Sequence, residues 1–548
     1  MQIIIPMSGI GKRFIDAGYK VPKPLIEVEG KPIIEHVINL FPGEENFLFI
    51  CNRDHIANTF LMEVLKRKAP KGKTIAIEPH KRGPVHAILE AEDYIADNQE
   101  AIVNYCDFFT YWNYEDFLGH TRNRRSDGAI PAYKGFHPHM LSSPNYAFIR
   151  DKEQYLLEIK EKEPFTDNRM QEYASNGTYY FRRGDILKRY CKETIESDVS
   201  INGEYYVSLV YGFLVGAGLK VSVYEVQHMF QWGVPQDLEE YVRWSNCFKR
   251  LVGGIGKGPS EKNSINLIPL AGEGKRFLQE GYAAPKPLVK ASGEAMIIQA
   301  ARSLPDAERN IFVCRKEHLE SFPLEEALEG EYPLCSIKSV DKLTEGQAVT
   351  CAIGLEGEDL ESPLFIGACD NGIIYDVEEY QNLLDDDAID VIVWSFRKNP
   401  CSKRNPKMYG WIKVEEGNRV KGVSVKEPIS DDPYNDHAIV GSFYFRKAKL
   451  FIKALESLRR NNTRVNGEFY VDSCIHELVA MHFDVRVFEV DEYICWGTPD
   501  DLRTFEYWQS CFHKWKGHPY RLESDSFFKK EEIKETSERY HKFSQVYV

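Results

Sequence analysis

Short apolar runs alternate with stretches of helical spacing through the first quarter of the chain. Residues 2–6 (QIIIP) predict a buried strand followed by a glycine-bearing loop, and residues 32–41 (PIIEHVINLF) a helix with proline in its first turn. FLFIC at 47–51 predicts a strand, 53–67 a helix, TIAI at 74–77 a strand, 84–96 a helix, and AIVNYCD at 101–107 a strand ending in an acid. This alternation implies a mostly parallel sheet with helices on both faces, in which ligands bind beyond the carboxyl ends of the strands. The loop at 7–24 and Asp107 then share one rim. From residue 129 the pattern turns β-rich (AIPAY, YAFI, LLEIK, GTYYF, KVSVYEV), which predicts a lid or acceptor-binding half.

The same pattern then recurs. IPMSGIGKRFIDAGYKVPKPL at 5–25 returns as IPLAGEGKRFLQEGYAAPKPL at 268–288, an offset of 263 residues that also relates Cys106-Asp107 to Cys369-Asp370. After one inserted residue the offset is 264, and it relates Lys162-Glu163-Pro164 to Lys426-Glu427-Pro428, NGEYYV at 202–207 to NGEFYV at 466–471, and Trp232-Gly233 to Trp496-Gly497. Spacing held so long with a single slip marks two copies of one domain. The expected boundaries are residues 1–252 and 264–516, joined by a glycine-rich linker at 253–263 and followed by a charged tail at 517–548.

Composition narrows the function classes. The chain has 548 residues, 43% of them apolar, and a formal charge of −14 without any long basic run, which argues against nucleic acid or an anionic membrane as partner. There is no apolar stretch long enough to span a bilayer and no signal-peptide pattern. Its twelve cysteines occur without a CxxC pair, which suits reduced thiols in a cytoplasm.

Candidate chemistry concentrates on the rim. In Ser8-Gly9-Ile10-Gly11-Lys12-Arg13, two glycines let the backbone approach a bulky anion, and Arg13 adds a fork of donors. The loop is neither GxGxxG nor a P-loop. Lys23, held between prolines in Pro22-Lys23-Pro24, adds a second cation. Gly272, Gly274, Arg276 and Lys286 repeat the set. Asp107 and Asp370 are placed to hold Mg²⁺, the competing reading being a helix N-cap. Lys162 and Lys426 face the rim from the β-rich half or are plain surface lysines. Glu204 and Glu468 bind acceptor hydroxyls or cap a helix starting near Tyr205. Trp232 and Trp496 read as packing residues, His137 and His139 as loop packing or a contact particular to the first copy, and Cys51 beside His55 as a buried thiol rather than a nucleophile.

The GxGxR loop, the PKP segment and the acid ending a strand together resemble the sugar-1-phosphate nucleotidyltransferases, and the chain carries the set twice. KEP and the GTYYF and GSFYF segments, with Gly177 and Gly441, are similar to that family's EKP and GxYxF stretches. The resemblance implies a tandem duplication of a Rossmann-like α/β/α domain with a mixed, mostly parallel sheet. It also implies the reaction NTP + sugar 1-phosphate → NDP-sugar + pyrophosphate, with an NTP and a small phosphorylated acceptor as partners. Ser8, Gly9, Gly11, Gly272 and Gly274 would hold nucleotide, with Gly83, Gly346 and Gln347 in the base-contacting segments. Arg13, Lys23, Arg276 and Lys286 would neutralise the polyphosphate, Asp107 and Asp370 would hold Mg²⁺, and Lys162 and Lys426 the acceptor phosphate. Gly177, Glu204, Gly441 and Glu468 would contact the acceptor. The family's second, late metal-binding aspartate is missing: Gln231 and Cys495 stand there, leaving open whether Glu204 substitutes. Synthesis of a surface or capsular polysaccharide precursor is the expected role, with oligomerisation open. Two alternatives are a non-catalytic regulatory role for one or both copies and a glycosyltransferase. The latter would want a DxD motif where Asp-Phe-Phe and Asp-Asn-Gly stand.

Overall fold

The computed structural model describes residues 1–254, 256–258 and 260–541. Ile255 and Pro259 of the expected linker and residues 542–548 of the tail lie outside the described residues. The chain divides into two compact units. One comprises Met1–Val242, Lys514–His518 and the stretch from Glu538 onward; the other comprises Arg243–His513 and Pro519–Ser537.

The first unit is built on a ten-stranded sheet. Its strands are β1 (Gln2–Met7), β2 (Phe47–Asn52), β3 (Lys73–Ile77), β4 (Ala101–Asn104), β6 (Gly128–Tyr133), β7 (Ala147–Lys152), β8 (Tyr155–Glu161), β9 (Tyr173–Ser175), β10 (Thr178–Phe181) and β11 (Val221–Glu225), in the order β9-β7-β8-β11-β6-β10-β4-β1-β2-β3. A separate hairpin pairs β5 (Phe108–Tyr111) with β12 (His228–Gln231). Strands β4, β1, β2 and β3 are parallel, as the alternation with helices requires, whereas β7 through β10 pair antiparallel with their neighbours. All six residues of β1 and of β2 are buried, the signature of strands covered on both faces. The helix expected over 53–67 is two helices, Arg53–Asn58 and Leu61–Lys68, broken where Thr59 is extended.

The second unit repeats the plan. Its strands are β13 (Ile265–Leu270), β14 (Arg309–Arg315), β15 (Ser336–Val340), β16 (Leu364–Ile366), β18 (Val391–Phe396), β19 (Gly410–Glu415), β20 (Arg419–Val425), β21 (His437–Phe445) and β22 (Val485–Glu489), in the order β15-β14-β13-β16-β21-β18-β22-β20-β19. The hairpin of β17 (Asn371–Ile374) with β23 (Glu492–Cys495) recurs beside it. Nine strands serve here because β21 runs unbroken where the first unit divides β9 from β10. Alternate residues of β13 feed two cores: Ile265 and Leu267 one, Ile268 and Leu270 the other, so helices cover both faces.

Both units carry helices that matter for the rim: α1 (Lys12–Asp16), α2 (Pro84–Glu90) and α3 (Val207–Gly216) in the first, α4 (Lys275–Gln279), α5 (Gln347–Gly354) and α6 (Val471–Ala480) in the second. One tail helix, α7 (Ile533–His541), carries the buried ring of Tyr540. Among the described residues no helix is long and apolar enough to cross a membrane, and all twelve cysteines are free thiols.

Candidate functional site

Beyond β1 the chain turns through Ser8–Gly11 into α1. Gly11 is left-handed (φ 72°), as is Gly274 at the start of α4 (φ 62°). A Cβ built at Gly9, Gly11 or Gly272 would meet nothing within 4 Å, so protein packing leaves the space before this loop open.

Asp107 does not end a strand. β4 stops at Asn104, and the carboxylate stands in the turn that leads into β5; Asp370 stands likewise between β16 and β17. The helix-cap reading is excluded, since a strand follows each acid. Two contacts pin this turn: Trp232 N donates to Asp107 O at 3.0 Å, and Trp496 N to Asp370 O at 2.9 Å. Trp232 is fully buried against His36, Phe109 and Tyr241, and Trp496 packs on Phe505, in line with a packing role.

Lys23, in the short turn that the flanking prolines impose, places its Nζ 2.7 Å from Asp107 Oδ2. Lys286 makes the same bond to Asp370 Oδ2. Burial disfavours each ammonium, but the facing carboxylate overrides it, so both lysines titrate above their ordinary value and stay charged. Arg13 is exposed; its charge acts on Lys23 and Tyr206, and that of Arg276 on Lys426. In the first copy the structure thus brings guanidinium, ammonium and carboxylate together; in the second Lys286 pairs with Asp370, and Arg276 and Asp370 both act on Lys426.

The β-rich half contributes the opposite wall. Lys162 follows β8 with φ 61° and Lys426 follows β20 with φ 64°, a conformation that turns each lysine out of its strand. Lys162 Nζ donates to Tyr206 Oη at 2.6 Å and lies over that ring, and Tyr206 in turn donates to Glu204. Glu204 is therefore not a helix cap: α3 begins at Val207 with Tyr206 as its N-cap, and Glu204 forms a small bridge with Ile201. Glu468 repeats that bridge with Val465. Lys426 Nζ rests on Met408 O at 2.5 Å, and its pKa is lowered by burial and by Arg276 against the pull of Asp472, Glu468 and Asp370. Gly177 (φ 96°) packs against Tyr105 and Phe108 beside the Asp107 turn, and Gly441 (φ 93°) approaches Ala368.

Gly83 and Gly346 join the two halves of each copy. Each precedes its helix (α2 or α5) in a left-handed backbone, and the neighbouring main chain pairs with the NGE turn. Tyr205 N donates to Arg82 O at 2.9 Å and Val85 N to Tyr205 O at 3.1 Å; Phe469 N donates to Glu345 O at 2.8 Å and Ala348 N to Phe469 O at 3.0 Å. Gln347 opens α5.

Sequence reasoning missed Tyr206 and Asp472. Tyr206 was hidden as a helix start, and Asp472 sits where the repeat differs, Ser208 being its counterpart. Burial raises the Asp472 carboxyl to about 6, with Lys426 opposing. Because its folded pKa exceeds the unfolded value, charging this acid costs stability as pH rises through about 6, and below the unfolded pKa the cost is absent. Asp472→Asn is therefore expected to raise the thermal midpoint at pH 8 and to leave it unchanged at pH 3.5, read by calorimetry at both values.

A divalent ion fits one carboxylate in each copy. Asp107 and Asp370 each offer one, and Mg²⁺ commonly takes one or two protein carboxylates with phosphate oxygens completing its shell. Gln231 and Gly233 do lie against Asp107, and Cys495 and Gly497 against Asp370, but neither Gln231 nor Cys495 restores the missing acid. The Cys495 thiol is held protonated by burial and by Asp501, to which it donates at 3.4 Å. Glu204 is engaged with Tyr206.

His137 and His139 are buried among Tyr133 and Tyr146, with pKa values pushed down by burial, as loop packing demands. His80, His86 and Glu90 lie close enough to share an ion, but Arg82 Nη1 already stands 2.7 Å from His86 Nε2 and Glu90 3.0 Å from His86 Nδ1. Cys51 is fully buried and its thiol pushed far up, which removes it as a nucleophile.

Residues 2–203 match the family model described as "Nucleotidyl transferase". Curated relatives include the bifunctional protein GlmU of Staphylococcus epidermidis, 24% identical over 228 residues, which are 40% of this chain and 47% of that protein. They also include UTP–glucose-1-phosphate uridylyltransferase 2 of Staphylococcus saprophyticus, 26% identical over 126 residues, 19% of this chain and 43% of that protein. The chain thus spans about half the length of the curated relatives it matches. Among solved structures, the nucleoside-diphosphate-sugar pyrophosphorylase of Vibrio cholerae superposes with a TM-score of 0.35 at 22% identity, covering 44% of this chain and 98% of that one.

Proposed function

With residues 2–203 a nucleotidyl transferase domain and its plan repeated in the second unit, we propose that each copy transfers a nucleotidyl group from an NTP to a small phosphorylated acceptor, releasing pyrophosphate. One observation carries the reading: in both copies a lysine is bonded to the rim aspartate, with Arg13 acting on that lysine in the first copy and Arg276 and Asp370 acting on Lys426 of the opposite wall in the second. No nucleophilic side chain or general base is required, because an acceptor phosphate oxygen attacks as it stands. What the reaction needs is alignment and neutral surroundings for the charge on the α-phosphoryl group and departing pyrophosphate. The open space before Gly9 and Gly272 suits the nucleotide phosphates. On this reading Lys23 and Lys286 pass from carboxylate to polyphosphate as substrate enters, while the exposed Arg13 and Arg276 add a donor fork. Asp107 and Asp370 would hold Mg²⁺, which neutralises further phosphate charge when bound.

Lys162 and Lys426 hold the acceptor phosphate. Lys162→Met or Lys426→Met is expected to raise the acceptor KM of its copy about 30-fold and to leave the NTP KM within about two-fold, since a charged hydrogen bond to phosphate is lost on one substrate only. Initial-rate kinetics with each substrate varied in turn checks this.

A sugar 1-phosphate is the acceptor class favoured: Tyr206 and Glu204 offer polar groups beside Lys162, and one relative is named for glucose 1-phosphate. A cytoplasmic role in supplying a precursor for surface polysaccharide follows from that reading. Incubation with Mg²⁺, the four ribo-NTPs and dTTP, and a panel of sugar phosphates, with pyrophosphate as readout, tests it. Folded protein that releases none with any pair removes the proposal.

A further inference from the structure

Each copy sets a half-buried carboxyl group beside its KEP lysine, yet the two compared here come from different elements. In the first copy it is Glu161, the last residue of β8, half-buried and accepting a hydrogen bond from Ser208 Oγ at 2.6 Å. In the second copy the matching strand position is Val425 and the match to Ser208 is Asp472, on α6. The strand register fixes this equivalence: Glu161 pairs with Ala147, and Val425 with Gly410. A Cβ at Gly410 would stand 2.2 Å from Asp472 Oδ2. Ala147, Glu161 and Ser208 have therefore been exchanged as a set for Gly410, Val425 and Asp472, and the loss of one methyl group makes room for the relocated acid.

Unlike Glu161, Asp472 receives no hydrogen bond from another residue among the described ones. It is half-buried, on the wall that carries Lys426, and the charge of Lys426 acts on it. A desolvated carboxylate without a donor is costly to keep, and the cost is offset when a bound ligand supplies the donor. Lys426, with its ammonium on a carbonyl oxygen, stands next to it as the phosphate-holding group.

We propose that Asp472 selects the acceptor of the second copy: its carboxylate takes a hydrogen bond from a hydroxyl of a polyhydroxylated phosphate ester whose phosphate Lys426 holds. Mounted on a helix rather than on a strand, it approaches the acceptor from another side than Glu161 does, so the two copies prefer different hydroxyl arrangements. The inference rests on the transfer reaction proposed above.

The test uses full-length protein carrying Asp107→Ala, so that the second copy is read alone, with hexose 1-phosphates, glycerol 3-phosphate and phosphocholine as acceptors. Asp472→Ser is expected to raise the KM of the preferred hydroxylated acceptor about 30-fold or more, because a site built to bind a hydroxyl loses that partner, with the NTP KM unchanged. The triple variant Gly410→Ala, Val425→Glu, Asp472→Ser rebuilds the first-copy arrangement and is expected to take on that copy's acceptor preference. An acceptor KM unmoved by Asp472→Ser, or an NTP KM that rises in step with it, overturns the proposal. If the Asp107→Ala protein releases no pyrophosphate with any pair, transfer by the second copy is what fails. Calorimetric binding of the hexose 1-phosphates then decides the role of Asp472: affinity lost with Asp472→Ser supports it, and affinity kept overturns it.

Discussion

Asp107→Ala is expected to lower pyrophosphate release by the first copy about 100- to 1,000-fold, and Asp370→Ala to do the same for the second. Each substitution removes the only carboxylate that the rim turn offers and also strands a lysine. Burial already works against the ammonium of Lys23, and Asp107 is what keeps it charged. Without that partner its pKa falls, so the carboxylate proposed to hold the divalent ion and part of a cation are lost in one step. Asp107→Asn separates the two effects, since the amide keeps the shape and a hydrogen-bond acceptor but no charge. Steady-state rates of both single variants and the double variant give the partition between copies. Two different products, each abolished by one variant, mean two active centres. Total loss from one variant with none from the other assigns a regulatory role to the silent copy. Near wild-type rates in the double variant remove the rim from the chemistry.

Gly83→Ala is expected to cost about 3 kcal/mol or more, with Gly346→Ala similar. A Cβ at Gly83 would lie 2.6 Å and 2.7 Å from Tyr205 N and O, and at Gly346 2.6 Å and 2.5 Å from Phe469 N and O. Those atoms belong to main chain already paired across the join, so nothing flexible can yield. The backbone is left-handed at both positions, adding strain for any side chain. For a unit of this size the loss corresponds to a fall of roughly 5–10 °C in the thermal midpoint. Gly9→Ala is the contrast: open space faces it, so the midpoint should move by less than about 1 °C while nucleotide affinity drops. Differential scanning calorimetry with nucleotide titration separates a glycine needed by the fold from one needed by the ligand.

The central layout was readable because it rests on periodicities and on repetition. Buried runs such as residues 2–6 mark strands by length and apolarity, and the constant offset matches Lys23 to Lys286 and Asp107 to Asp370. What escaped depends on chain reversals and on space. The apolar run 101–107 continues past the strand because Cys106 is buried and Tyr105 partly buried in the turn itself, so Asp107 looked like a strand end. The NGE segment looked like a helix start because the N-cap, Tyr206, is an aromatic that uses its hydroxyl for Lys162 instead of capping. Asp472 could be found only by asking what lies within reach of Gly410, a residue sixty-two positions earlier.

A bare carboxylate at the mouth of a polyphosphate pocket would gather whatever small cation drifted past. Here Lys23 and Lys286 sit on Asp107 and Asp370 from the outset, so each resting cleft carries its own counter-ion. On the proposed reaction, the nucleotide phosphates that arrive there take over each lysine from its carboxylate. Potassium or sodium in the medium has no vacancy to contest, and high salt should weaken the first encounter with nucleotide more than the seated complex.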